Sequence, residues 1–232
     1  SSAFFIGIDK ILKQSGIGHQ DVALVFHGST IATNAILEGN GAKTGMLVTS
    51  GFKYVLEIGR AEIPRKENLY KWVKPERPVQ PRSIVEVPQR TELDGSVSKD
   101  MDEDACRAAA LRLRALGVEA VAVVFLHSYA NSSHEKRALE ILREELPKVE
   151  LCRSSEVLPV FREYERAMAT ALNASVQPLV GHYMGRLRAG LKDRTIDAPL
   201  YIMKSNGGLF SPEQAEKQSI NVALSGPAAG AL

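Results

Sequence analysis

Cysteine is scarce in this chain of 232 residues: there are two, Cys106 and Cys152, far apart and without CxxC spacing. That excludes a disulfide framework and a zinc ribbon, and it suits a reduced, cytoplasmic protein with buried thiols. Histidine is sparse too. His19, His27, His127, His134 and His182 show neither HxxxH nor HxH spacing, so no metal site is expected. Charge of either sign is nearly cancelled, 29 Lys and Arg against 27 Asp and Glu, which leaves no global field to draw the chain to nucleic acid or an anionic membrane. No apolar run reaches membrane-spanning length, and the segment AFFIGI at 3–8 lacks the basic flank of a signal peptide. Internal repeats, low-complexity stretches, a GxSxG elbow and a Walker A loop are all missing. The remainder is ordinary globular material, 44% hydrophobic and 24% charged.

Strand and helix patterns alternate along the chain. An apolar helical face at Ala3, Phe4, Phe5, Ile6, Ile8, Ile11 and Leu12 is followed by the β-branched run VALVF at 22–26, a helix over 30–38 and a strand at 44–50. Residues 64–88 carry five prolines and the single Trp72, a texture that forbids regular helix and predicts an extended connection pinned by Tyr70 and Trp72. Strands around an Asp94-Gly95 turn come next. A helix over 102–116 then places Cys106, Ala109, Ala110, Leu113 and Leu116 on one stripe. After a central strand at 118–126, Ser132 and Glu135 have capping-box spacing and open a helix over 133–146 with Leu139, Leu142 and Leu146 inward. A strand at 149–154, long helices over 158–192 broken near Pro178, a strand at 199–205 and a capped start at Ser211-Pro212 complete the pattern. Such alternation predicts an α/β fold with mostly parallel sheets and helices on both faces. The expected segments are 1–82, 83–195 and 196–232. With no opening Met and both ends falling inside helical patterns, the chain is expected to be an internal fragment of a longer polypeptide.

Three small-residue turns are candidates for chemistry. HGSTIATNA at 27–35 leaves a strand and enters a helix, offering hydroxyls from Ser29 and Thr30 and the carboxamide of Asn34 to an anion or a polarised carbonyl; an ordinary helix cap explains the same residues. KSNGG at 204–208 offers Asn206, Gly207 and Gly208 at a strand's carboxyl end, although Asn-Gly is also a common turn dipeptide. LSGPAAG at 224–230 contains Ser225, Gly226 and Pro227, which suit either a ligand or close helix packing. His27, beside the first turn, reads best as a satisfied structural histidine. The charged run REYER at 162–166 reads as a solvated helix face or a buried Glu-Arg pair.

Taken in order, HGSTIATNAILEGNGAKTGMLVTSGFKYVLEIGR at 27–60, VAVVFLHSYANSSHE at 121–135, SSEVLPVFREYERAMATALNASVQPLV at 154–180 and SNGG…LSGPAAG at 205–230 resemble the hydantoinase A/5-oxoprolinase family, which includes the acetone carboxylase β subunit and related ketone carboxylases. The resemblance implies a partial ribonuclease-H-like, actin-like ATPase fold. It also implies ATP-dependent opening of a cyclic amide, or activation of a ketone for carboxylation, with ATP and Mg²⁺ as cofactors of the full-length protein and a second, hydantoinase B-type subunit or domain as partner. The alternative from another class is a non-catalytic scaffold segment that docks a partner subunit through Trp72, Tyr70 and the proline-rich connection. The family's DxGGT phosphate loops are not in this chain, so by itself it is expected to bind ATP poorly. The residues carried over as cleft candidates are Thr30, Asn34, Arg60 in the EIGR turn, Asn206, Gly207, Gly208, Ser225, Gly226 and Pro227. Arg60 fits either a bidentate clamp on a carboxylate or phosphate, or a surface ion pair.

Overall fold

The computed structural model describes residues 2–60, 71–73 and 76–223. In chain order the elements are α1 (Ser2–Ser15), β1 (Val25–His27), α2 (Ile31–Leu37), β2 (Thr44–Thr49), α3 (Val55–Ile58), β3 (Ile84–Val87), β4 (Arg90–Thr91), β5 (Val97–Lys99), α4 (Glu103–Ala115), β6 (Ala120–Val124), α5 (Ser133–Glu145), β7 (Glu150–Arg153), α6 (Ser154–Val157), α7 (Glu163–Asp193), β8 (Leu200–Met203), β9 (Leu209–Phe210) and α8 (Pro212–Lys217). Packing divides them into two compact units, one made of 1–41 with 176–232, the other of 42–175. The expected cuts at 82 and 195 fall elsewhere because β2 pairs with both β3 and β6, which binds residues 42–82 into the same sheet as the strands beyond them.

The first unit is a three-stranded sheet in the order β1-β8-β9, with β1 and β8 parallel and β9 returning antiparallel. Its core gathers Val25, Ile202 and Phe210 from the sheet with Val176, Val180, Met184, Leu187 and Leu191 from the second half of α7. Those α7 positions recur at helical spacing, so one face is continuously apolar. Helix α1 contributes Phe5 and Leu12, while Ile6 and Ile11, expected on the same face, stand 65% exposed. Phe5 seats where a side chain at position 190 would stand, since a Cβ added to Gly190 would lie 2.2 Å from its ring. Arg194 covers that ring at 4.5 Å and forks onto Asp9 through two 2.8 Å bonds, fastening α1 to the end of α7. Pro178 lies inside α7 without ending it, so the expected break is not there.

The second unit is a wholly parallel sheet in the order β3-β2-β6-β7, beside a small β4–β5 hairpin. The hairpin turns at Gly95, whose φ of 85° is the left-handed geometry expected of Asp94-Gly95. Strands β2 and β6 are buried throughout, as parallel strands covered on both faces must be. One face sets Leu47, Val121 and Val123 against the α4 stripe (Cys106, Ala109, Ala110, Leu113) and the α5 positions Ala138, Leu139, Ile141 and Leu142. The other carries Met46, Val48, Ala122 and Val124, all buried, and Cys152 on the same side directs Sγ at the Thr170 carbonyl of α7. Each fully buried Leu or Ile here contributes about 1.5–3 kcal/mol of apolar burial. Both cysteines are buried and unpaired, and burial raises their thiols to about 11 at Cys106 and about 12 at Cys152.

Candidate functional site

In the first unit, the parallel register Val25↔Leu200 to His27↔Ile202 makes β1 and β8 run out at the same sheet edge. The turn at 28–34 leaves one strand there, and 204–208 leaves the other. The sequence candidates Thr30, Asn34, Asn206, Gly207 and Gly208 therefore share an edge, and all five are exposed.

The local bonding at that edge is self-contained in the second turn. Gly207 N–H donates to the Lys204 carbonyl (3.0 Å), Lys204 N–H to the Gly208 carbonyl (2.7 Å), Ser205 N–H to the Asn221 carbonyl (2.9 Å), and Gly208 N–H to Asn206 Oδ1 (3.1 Å). With Gly207 at φ 81°, SNGG is the tight turn of the β8–β9 hairpin, and those amides are occupied. At the first turn Ser29 Oγ accepts the Ile31 N–H (3.2 Å), whereas Thr30 makes no side-chain cap. What the edge can present to a ligand is thus hydroxyl, carboxamide and the Lys204 cation. Neither turn contains an acidic residue, so these donors suit phosphate oxygens but not Mg²⁺ itself. His27 is structural: Nε2 meets the Tyr183 hydroxyl at 2.7 Å, the ring packs on Phe4 at 4.5 Å, and desolvation lowers its pKa to about 4. A larger groove of about 730 Å³, lined by Leu191, Ile196, Pro199, Tyr201 and Pro212, opens at the amino end of β8. Ligands of open α/β sheets bind at carboxyl ends, so size alone does not make it the site.

The second unit reverses direction between β2 and β6: β3 lies on one side of β2, and β6 and β7 on the other. Such a reversal leaves a crevice at the strands' carboxyl ends. Beneath it lies a buried polar network. Glu135, fully buried, accepts from the Phe125 N–H (2.9 Å), the Ser154 hydroxyl (2.6 Å) and the Ser155 N–H (2.9 Å). This corrects the capping-box reading. Ser132 makes no side-chain cap, and Glu135 turns away from the helix start to gather donors at the exits of β6 and β7. Arg166, only 1% exposed, donates to the carbonyls of Val160 (3.1 Å) and Phe125 (3.0 Å), so the REYER run is solvated in part only. Thr49 Oγ1, at the end of β2, accepts from the Leu126 N–H (2.8 Å) and from Gln89, whose Oε1 lies 2.9 Å from His134 Nδ1. None of Thr49, Gln89, His134, Glu135 or Ser154 was a sequence candidate, whereas Arg166 belongs to the REYER run, whose second reading was a buried Glu-Arg pair; it is buried, but on carbonyls. The one available signal was a run of polar residues following each buried strand.

Above β2's exit lies a cleft of about 350 Å³, lined by Gly51, Phe52, Tyr54, Val55, Ile58, Gly59, Arg60, Glu163 and Tyr164. Its walls are mainly apolar, with few polar groups, and its volume suits a small ring. Arg60 sits on its rim and is already engaged: Nε donates to Glu165 Oε1 (3.0 Å) and Nη2 to Oε2 (2.7 Å). That pairing holds the Glu165 carboxyl below its usual range. Both partners are partly solvated, so the fork adds geometry more than stability. Ser225, Gly226 and Pro227, like Tyr70, Pro64 and Pro75, lie outside the described residues. Among the described residues there is no group of three or more His, Cys, Asp or Glu able to hold a metal, and no helix long and apolar enough to cross a membrane.

Mostly parallel sheets clad by helices, with polar turns at the carboxyl ends of their strands, define an α/β protein. The chain belongs to the hydantoinase/oxoprolinase family: residues 1–146 match its N-terminal region and residues 166–232 its hydantoinase/oxoprolinase region. It is 35% identical over 212 residues to the caprolactamase subunit alpha of Pseudomonas jessenii, covering 90% of this chain and 30% of that one. To the 5-oxoprolinase of Saccharomyces cerevisiae it is 30% identical over 232 residues, covering 88% of this chain and 18% of that one. The crystal structure of the ATP-dependent caprolactamase from Pseudomonas jessenii superposes with a TM-score of 0.86 at 33% identity, covering 96% of this chain and 33% of that one. The chain thus spans about a third or less of the length of these relatives.

Proposed function

We propose that this chain forms part of an ATP-dependent hydrolase that opens cyclic amides of the hydantoin or 5-oxoproline type, and that the cleft beyond β2 receives the ring. The observation that supports this reading best is the cleft itself, an apolar-walled space of about 350 Å³ at the carboxyl end of a strand beside the sheet's reversal. Phe52, Tyr54, Val55, Ile58 and Tyr164 would surround the ring and exclude water, and Arg60, steadied by Glu165, would present a directional cation at the rim. ATP, when bound, would supply the phosphoryl group that converts the ring's carbonyl oxygen into a leaving group. Thr30, Asn34 and Asn206 on the first unit's sheet edge, with the flanking Gly207 and Gly208, are the proposed donors toward phosphate, together with Ser225, Gly226 and Pro227. Mg²⁺ would arrive on the phosphates, since neither described turn holds a carboxylate. Such a reaction is governed by positioning and electrostatics and needs no protein nucleophile.

A second, hydantoinase B-type polypeptide or domain is the proposed partner, in keeping with a relative that is named as a subunit. A cytoplasmic setting suits two buried thiols that stay reduced.

The full-length polypeptide, with and without co-purifying protein, should release ADP or AMP and inorganic phosphate when hydantoins, 5-oxoproline or simple lactams are added. Release driven by ketones and bicarbonate instead would move the protein to the carboxylase branch, and no release with any of them would end the reading. Tyr164→Ala should raise KM about tenfold with little change in kcat, as loss of uniform ring binding does; an unchanged KM would take the ring out of this cleft. Asn206→Ala should lower turnover with a stability loss of only about 1 kcal/mol. Unaltered kinetics would reduce SNGG to a hairpin turn.

A further inference from the structure

Arg77 differs from the other arginines around the second unit's strand exits. Arg60 and Arg153 each hold a glutamate, and Arg166 holds two carbonyls. Arg153 Nη1 and Arg166 Nε are, like Arg77 Nε, buried without a partner, but among the described residues Arg77 alone of these four makes no hydrogen bond or ion pair through any nitrogen. A buried donor left unpaired is costly and calls for an acceptor. Its location says where that acceptor would sit. A Cβ added to Gly59 would lie 3.3 Å from Arg77 Nη2 and 3.4 Å from Tyr164 Cε2. Gly59 and Tyr164 both line the cleft beyond β2. The guanidinium therefore stands beside Gly59, one of the two glycines in the cleft lining, on the side where a larger residue would carry its side chain. Gly59 adopts φ 59°, ψ −147°, a conformation reserved almost wholly for glycine, so the gap is built into the backbone.

We propose that Arg77 is a specificity-determining anchor that takes a carboxylate carried by the ring bound in this cleft. The proposal rests on the cleft being the ring site. The planar fork of a guanidinium matches a carboxylate in two-point geometry, whereas a lone carbonyl oxygen uses only half of it. The rim arginine cannot serve as readily, because Glu165 already occupies its fork. Glu163, also lining the cleft, opposes a bound anion, so the preference measured is the excess of the anchor over that repulsion.

The test uses the full-length polypeptide and a matched pair of rings, 5-oxoproline and 2-pyrrolidone, which differ only by the carboxylate. Calorimetric affinity and ring-stimulated phosphate release are both read. Wild type should favour 5-oxoproline by at least about tenfold. Arg77→Met should erase that preference while leaving 2-pyrrolidone affinity unchanged, and Arg77→Lys should restore part of it. An undiminished preference in Arg77→Met, at an unchanged melting temperature, overturns the assignment. If Arg77→Met melts early, Arg77→Lys decides: full preference with a single point charge overturns the fork, and partial preference supports it. Stimulated phosphate release with an unaltered ratio sinks the anchor alone. Absence of release with either ring removes the cleft reading and the anchor with it.

Discussion

The strand exits of the two units are built on opposite plans. In the first, small exposed residues close short turns on themselves: three amides of 204–208 are spent on acceptors within the turn, and a fourth on Asn221. In the second, large ionisable residues are drawn inside. Glu135 and Arg166 are essentially inaccessible, and each binds backbone groups from more than one loop. A glycine turn costs little to build, so its presence says little about a ligand. A buried carboxylate or guanidinium is expensive unless backbone partners meet it, and the carbonyls and amides gathered by Glu135 and Arg166 hold several loop ends in register. The fixed edge, beneath the cleft, is the one better prepared to position a substrate.

The comparison breaks first at Glu135. Glu135→Ala strands the amides of Phe125 and Ser155 and leaves the Ser154 hydroxyl only Ser128 to bond, and should cost about 3–5 kcal/mol in chemical denaturation. A loss near zero would mean the network is decoration. His27 comes next, through pH. Its folded-state pKa lies near 4, below its ordinary 6.5, because burial disfavours the cation. The unfolded chain therefore takes up the proton first as pH falls. The stability His27 contributes is complete above about pH 6.5 and is lost toward pH 4, with a slope of at most about 1.4 kcal/mol per pH unit. Desolvation of His134 tilts the same way, so the measurement is the difference between wild type and His27→Gln from pH 7 to pH 4.5; identical slopes would place His27 in solvent. The smallest effect belongs to the self-closed turn. Gly207→Ala, at φ 81°, should cost about 1–2 kcal/mol, and a neutral result would contradict the left-handed turn.

Much of this architecture is legible in the chain, because periodicity is local. The α4 stripe, the inward leucines of α5, the Asp94-Gly95 turn and the Ser211 capping box, with Gln214 three places on, come from spacing alone. The candidates at 30, 34 and 206–208 were readable as turns at strand ends, and the parallel register of β1 with β8 brings them to one edge. Other features depend on partners distant in sequence. Glu135 has the spacing of a capping box, but the exits of β6 and β7 supply three donors that a cap lacks. REYER reads as a solvated face or a buried Glu-Arg pair, and only the loop before α7 and the end of β6, whose carbonyls take Arg166, decide for burial without a glutamate. Pro178 should break a helix by local rules, yet α7 continues through it with apolar residues buried on either side. Arg77 lies in a proline-rich connection whose course no periodicity describes.

The discontinuity of the first unit has a consequence for biosynthesis. Val25 can find its sheet partner only when Leu200 has left the ribosome, by which time all of 42–175 has been translated and can collapse on its own contiguous core. During that interval the 25–27 strand has a bare edge and an apolar residue, Phe26, in water, an invitation to pair with another nascent chain. Its brevity, three residues, is what keeps that invitation weak.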